Sequence, residues 1–388
     1  MQQHAVGSQI KTVYLNKVLS QPNKLYMAQQ GNILVAKEEV HSFIVRCIVG
    51  AGAELSHAEC LADNLVLADC RGHTTHGLLR TALYVKDLKS DITKGSGVPT
   101  ILKETPAIAL VDGNNLLGPV VGRFCMAMAI RKAQKTGIGF VTARGSNHFG
   151  IAGAYSVQAM KQGLLGISMT NASPALVPTR ARKMVFGTNP ISVAAPALNG
   201  DNFVLDMATS AVSLGKVQVC KMDGEDMPDG WGVDKTGRDT TDPSDVLDDG
   251  GLHPLGGREI TSGYKGYGLA MMVEILCGIL SGANYGPKIR HWTSKEEIAN
   301  LGHCFIAINT NAFESGFEAR MADLIDACRN LETAEPKDKV LIPGDRARSK
   351  IENVEKSGAI EYSAETIRQA EALARDLGIP MICTMKQL

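Results

Sequence analysis

IGFVTARGSNHFGIAGAYSVQAMKQGLLGISMTN, residues 138–171, reads as a strand, a polar loop, a helix and a second strand. If the two strands pair in parallel, the helix between them makes a right-handed crossover. The loop GSNHFG then lies where an α/β protein places its chemistry. Upstream, AIALVDGNN reads as a strand and turn, and VVGRFCMAMAIRKAQKTG as a helix closed by Gly137. Downstream, strands are expected at ISVAAPA, NFVLDMA and HCFIAIN. The Gly- and Asp-rich stretch Asp223 to Gly257 reads mostly as loops, and residues 265–280 as a buried helix entered through glycines.

Both ends of the chain are helical in pattern. EEVHSFIVRCIVGAG starts at Glu38 and stops at Gly50; SHAECLADNLVLADCRG carries a Ser56–Glu59 capping box and a stop at Gly72. Thr75 is placed to cap a third helix through HGLLRTALYVKDLKS. Near the C-terminus, SAETIRQAEALARDLG opens with its own cap, Ser363 followed by Glu365 and Thr366. The fold class is α/β, with helical ends around an α/β middle.

Composition limits the function classes. The chain has 388 residues, 44% hydrophobic and 21% charged, enough for two or three domains around a substantial core. Forty basic residues balance forty acidic ones, so no global field draws it to nucleic acid or an anionic membrane. No run of about 20 apolar residues marks a membrane span. Cysteines at 47, 60, 70, 125, 220, 277, 304, 328 and 383 are odd in number and unpaired in spacing, which points to reduced thiols and a cytoplasmic setting. The first 37 residues hold Lys11, Lys17, Lys24 and Lys37 and no acid, a faint mitochondrial flavour that the absence of arginine weakens.

Three chemistries are compatible with these elements. No dinucleotide fingerprint of the Rossmann type is readable: GIGFVT precedes a strand rather than following one, and GSGVPT has a proline where the helix should be under way. Cys70, His73 and His76 are spaced three apart, which admits a zinc hydrolase, but no CxxC or HExxH completes the set. His76 and Arg80, four apart at the start of the Thr75-capped helix, offer a carboxylate site; arginine grips a carboxylate with two parallel hydrogen bonds. His148, in the loop before a helix, is a candidate base whose proton affinity the helix N-terminus lowers. A structural role for each remains open on the residues alone.

Six motifs carry a resemblance. RGHTTHGLLR, GSNHFGIAGAYS, GISMTNASP, FGTNPIS, LDMATS and YKGYGLAMMVEILCGILSG occur in the order found in the malate/L-lactate dehydrogenase family that lacks a Rossmann fold. That family is similar to ureidoglycolate, sulfolactate and diketogulonate enzymes, and the resemblance spans about residues 38–350. It implies a non-Rossmann NAD(P)-binding α/β domain over 105–319, a helical domain from 38–104 and 320–388, an extension over 1–37, and a homodimer. It places the proton-transferring histidine on His148 and the substrate contacts on His76, Arg80 and Thr188. Cofactor contacts fall on Asn171, Ala172, Gly187, Asn189, Asp206, Met207, Ala208, Lys265 and Gly344.

The implied reaction is NAD- or NADP-dependent hydride transfer with a small 2-hydroxy or 2-oxo acid. Malate leads; lactate or a larger 2-oxo acid follows. A descendant that binds cofactor without turnover is the third class. Two departures bear on the pocket: Arg180 and Ala181 stand where the family commonly has Gly-Gly, and Ala299 stands where some relatives have arginine.

Overall fold

The computed structural model describes residues 32–385, apart from 292, 293, 295, 296 and 337. The first 31 residues, most of the expected extension, lie outside the described part. From Ile33 the chain forms β1 (Ile33–Ala36), α1 (Lys37–Gly50), α2 (Leu55–Cys70) and α3 (Thr81–Lys89). The middle holds β2 (Thr100–Glu104), β3 (Ile108–Asp112), α4 (Gly118–Thr136), β4 (Ile138–Ser146), α5 (Gly153–Met160), β5 (Leu164–Thr170), β6 (Ile191–Pro196) and β7 (Asn202–Met207). An excursion follows through α6 (Leu214–Asp223), β8 (Gly232–Val233), β9 (Asp239–Thr240), α7 (Pro243–Leu247) and β10 (Gly251–Leu252). The chain closes with α8 (Gly263–Glu274), β11 (Leu301–Asn309), α9 (Phe317–Arg329), α10 (Asp345–Ser357), β12 (Ala359–Tyr362) and α11 (Ala364–Leu377).

The large sheet has the order β2-β3-β4-β11-β5-β6-β7. β4 and β5 do run in the same direction, but they are not neighbours. β11 lies between them, antiparallel to both, with His303 opposite Ala143 on one side and Thr170 on the other. The parallel pairing expected from residues 138–171 is therefore corrected; β3 with β4 is the parallel pair. This register has a functional consequence. The C-terminal ends of β4, β5 and β7 and the start of β6 all reach one edge of the sheet.

The two chain ends share one apolar core. Val40, Phe43, Ile44 and Ile48 of α1 and Leu61 and Leu65 of α2 pack with Ile360, Tyr362, Ile367 and Ala374 from β12 and α11. β1 pairs with β12, so residues 33–36, within the stretch read as an extension, are built into this unit. A second core under the sheet joins α4 and α5 to β4 and β11 through Met126, Ala129, Tyr155, Val141 and Phe305. Burying large side chains of this kind is worth roughly 1.5–3 kcal/mol each.

Three local expectations change. The Ser56–Glu59 box does not form: α2 starts at Leu55, because Glu54 is held outside the helix by its N–H bond to the Gly95 carbonyl. The Gly- and Asp-rich excursion is not only loop, since β8–β10 and α7 fold over a small cluster of Val217, Met227, Val246 and Leu252. The helix at 265–280 is half-buried: α8 continues through a wide turn, Ile275–Ile279, with Ala270, Val273 and Cys277 inside and Met271, Ile275 and Ile279 exposed at four-residue spacing. The Ser363 cap does form, its hydroxyl accepting from the Thr366 N–H. Among the described residues no helix is long and apolar enough to cross a membrane.

Candidate active site

The stretch after α2 does not make the single capped helix expected of it. Thr74–His76 and Leu78–Arg80 are two tight turns separated by Gly77, and α3 begins only at Thr81. The cause is Asp69, at the end of α2. Its carboxylate packs against Gly77 so closely that a Cβ there would collide with it, and it accepts the Leu78 N–H at 2.8 Å. Tyr362 of β12 donates to the same carboxylate at 2.6 Å, tying the C-terminal strand to this corner. Burial raises the Asp69 pKa to about 7. Thr75 caps nothing; its hydroxyl pairs with His76 Nδ1 at 3.0 Å, and its carbonyl accepts from Arg80 Nε.

His148 follows β4 on a strip that is clamped on both sides. Asn147, buried, donates to the carbonyl of Leu116 at 2.9 Å, and Phe149 stacks on His303 at 4.7 Å between ring centroids. His303 itself bridges Ser146 and Thr170, the last residues of β4 and β5, at 2.7 Å each. Gly118, opening α4, lies so near the His148 backbone that a Cβ would strike its carbonyl. The imidazole thus has a fixed base.

His76, Arg80, His148, Ala172 and Thr188 line one cavity of about 170 Å³. The His76 and His148 rings stack with centroids 5.9 Å apart and planes 25° from parallel. Withdrawal from solvent, with the Arg80 charge second, pushes the His148 imidazole down to about 3. Burial also holds His76 well below its ordinary value, with the proximity of the His148 ring and the Arg80 charge adding to the effect. Both rings are neutral at physiological pH, and Arg80, a permanent cation, faces them.

Tyr84, Asp87 and Arg290 line the same cavity, although no sequence motif marks them. Tyr84 lies one turn past Arg80 at the spacing that puts both on one side of a helix, which was the available signal. Its hydroxyl is 2.6 Å from His148 Nδ1 and 3.3 Å from the His148 carbonyl. When the hydroxyl donates to the carbonyl, Nδ1–H donates to the hydroxyl and Nε2 is left as a base. When it donates to Nδ1, joining the Gly150 N–H at 3.4 Å, Nε2 carries the proton. Tyr84→Phe keeps the ring but loses this support. The expected result is a fall of about tenfold in kcat with cofactor affinity unchanged, read by steady-state kinetics beside equilibrium binding.

The remaining expected residues divide. Asn171 and Asn189 spend their side chains on the framework: Asn171 bonds the Asn284 carbonyl and the Gly302 N–H, and Asn189 bonds the Ala172 N–H, the Ala270 carbonyl and Glu274. Gly187 packs against Ala172. Asp206, Met207 and Ala208 reach the same sheet edge at the end of β7, where Asp206 accepts the Gly153 N–H at 3.0 Å. Burial raises the Asp206 carboxyl, with Arg71 and His73 opposing. Gly344 touches Val204 of β7 and lines a second cavity, of about 700 Å³, between α1, α2, α5, β7 and α10. Lys265 is exposed at the start of α8 and lines neither cavity.

The zinc reading is corrected. Among the described residues no three His, Cys, Asp or Glu side chains are gathered for a metal. Cys70 belongs to the helical core, where burial raises its thiol; His73 sits beside Asp206 and Arg71; His76 stacks on His148. Nor does Arg180 charge the pocket. It adopts φ +69, a conformation glycine takes freely, and its guanidinium pairs with Glu259 at the surface. Ala299 lines the cavity, leaving room where an arginine would stand.

The chain is similar to known proteins over most of its length. The family described as malate/L-lactate dehydrogenase matches residues 35–371. A malate dehydrogenase of Pyrococcus abyssi is 39% identical over 350 residues, covering 89% of this chain and 96% of that protein. A ureidoglycolate dehydrogenase (NAD(+)) of Escherichia coli is 31% identical over 313 residues, 80% of this chain and 87% of that one. The solved structure of malate dehydrogenase from Pyrococcus horikoshii superposes with a TM-score of 0.84 at 36% identity, covering 92% of this chain and 99% of its own.

Proposed function

The chain belongs to the malate/L-lactate dehydrogenase family, and from that footing we propose that it moves hydride between a nicotinamide dinucleotide and a small 2-hydroxy acid, with malate and oxaloacetate as the pair. The observation that carries this reading is the meeting of His76, Arg80 and His148 in one cavity. Arg80 and His76 hold the substrate carboxylate, the arginine by its fork and the histidine by its ring N–H. His148 takes the 2-hydroxyl proton in oxidation and returns it in reduction, steadied by Tyr84. The walls at Ala172 and Thr188 set the substrate's orientation.

The residues fit a dinucleotide. Gly344 is on the wall of the larger cavity and Ala172 on that of the smaller, while Asn171, Gly187, Asn189, Asp206, Met207 and Ala208 lie where β5, β6 and β7 meet at one end of the sheet. These residues hold it in this reading, with Lys265 as an outlying contact. When bound, the nicotinamide ring supplies the hydride chemistry and no metal is needed. Malate is favoured over lactate because a second arginine, the buried Arg290, lines the cavity beside Arg80, where it is paired with Asp87 at 2.8 Å. The exposed apolar face of Met271, Ile275 and Ile279 suits a homodimer contact, and the free cysteines suit the reducing cytoplasm.

The test is absorbance loss of NADH and of NADPH with a panel of 2-oxo acids. Oxaloacetate is expected to give the highest kcat/KM, roughly tenfold or more above pyruvate, since a site built for a charged group rejects analogues lacking it. No turnover on any 2-oxo acid would sink the reading; a preference for pyruvate would sink malate.

A further inference from the structure

Arg71, the residue after α2, is 7% exposed, yet no described residue accepts a hydrogen bond from its guanidinium or forms an ion pair with it. Its Nε is buried without a partner. Buried polar groups in folded proteins are almost always bonded, and a buried cation without an anion bears a heavy desolvation cost. Asp206 lies near enough for each to feel the other's charge, but it has turned one oxygen to the Gly153 N–H. Lys350, packed against Gly72, adds a further positive charge to the corner. Arg71 belongs to the wall of the cavity of about 700 Å³, a volume within the usual range of small-molecule sites. Lys37 and Lys161 also line that cavity, as do Glu38, Asp63 and Glu355; its Arg348 is paired with Asp201 and Asp345.

We propose that Arg71 is the anion anchor of this cavity and grips the diphosphate that joins the two halves of the dinucleotide, while the adenosine half occupies the cavity beyond it. The inference rests on the nicotinamide-cofactor reading above and assigns to this chain's own residue the phosphate contact. A planar fork with no protein partner matches phosphate oxygens in pairs, as a lysine ammonium cannot. Its place suits a linker. From Arg71 the neighbours run through Asp206 and His73 to His76, from the larger cavity to the smaller. A ligand reaching both cavities has its middle at Arg71. This makes Arg71 a cofactor-binding residue, remote from the reacting atoms.

The test is calorimetric titration of the full chain with ADP-ribose, which has the diphosphate and adenosine but no nicotinamide. Arg71→Gln is expected to weaken ADP-ribose binding by about 10- to 100-fold, Arg71→Lys by less, and His148→Asn not at all. Binding by a folded Arg71→Gln within about threefold of wild type overturns the proposal, as does a wild-type chain that does not bind ADP-ribose. Should Arg71→Gln not fold, Arg71→Lys decides: wild-type affinity in that variant refutes the fork. Failure of the functional reading looks different. Arg71-dependent ADP-ribose binding without turnover on any 2-oxo acid leaves the anchor standing and sinks the dehydrogenase assignment.

Discussion

His148→Asn is expected to lower kcat by about 100-fold or more in both directions while leaving cofactor affinity at the wild-type value, since positioned acid/base catalysis is typically worth 10²–10⁴. Asparagine keeps a polar side chain on the clamped strip between Asn147 and Phe149, so the loop has no reason to move. A variant that retained more than a tenth of wild-type turnover would show that the proton goes elsewhere. The wild-type pH profile gives a second measurement. The His148 pKa is lowered to about 3, so the neutral base is present at ordinary pH and is lost only as pH falls through that value. The kcat/KM for oxidation, which reports the free protein, therefore has no acid limb attributable to His148 between pH 5 and 8. An inflection near the ordinary histidine value of about 6.5 in that profile, abolished by His148→Asn, would mean that the ring is far better solvated than its surroundings indicate.

What the sequence could and could not show divides along separation in the chain. The elements of residues 138–171 were readable because each rests on local periodicity and on Gly137. Their pairing was not, since β11 enters between β4 and β5 from more than a hundred residues away and carries no mark of its partners. The same holds at the site. His76, Arg80 and His148 stand in recognisable local motifs, whereas Asp87 and Arg290 meet across a sequence separation of 203 and Tyr84 meets His148 across 64. Asp69 is silent in the sequence for a different reason. A buried acid at a helix end looks like a poor cap for its own helix, and only the fold shows it capping the next turn and holding Tyr362. Even spacing places Cys70, His73 and His76 on one face only of a continuous helix, and here the helix ends at Cys70, with Gly72 in the break before the separate turn Thr74–His76.

Arg80→Gln is expected to lower kcat/KM for oxaloacetate by about 100- to 1000-fold, chiefly through KM, because truncating one partner of an enclosed charge pair costs about 2–5 kcal/mol. The guanidinium also bears on the histidines. Its charge is among the causes that depress both His148 and His76, so removing it lets both pKa values rise, and the acid limb of oxidation moves upward in pH. Arg80→Lys separates the two effects. Lysine keeps the charge, and hence the wild-type pH profile, but cannot present two parallel donors, so the KM defect persists in part. Wild-type KM in Arg80→Lys would rule out the two-pronged grip; wild-type KM in Arg80→Gln would rule out any carboxylate contact and send the substrate's charge to Arg290. The glutamine variant also loses the Nε bond to the Thr75 carbonyl, which the lysine variant loses too. A loss of fold common to both would therefore register as a matched drop in melting temperature, and the contrast in pH profile between them would still isolate the charge.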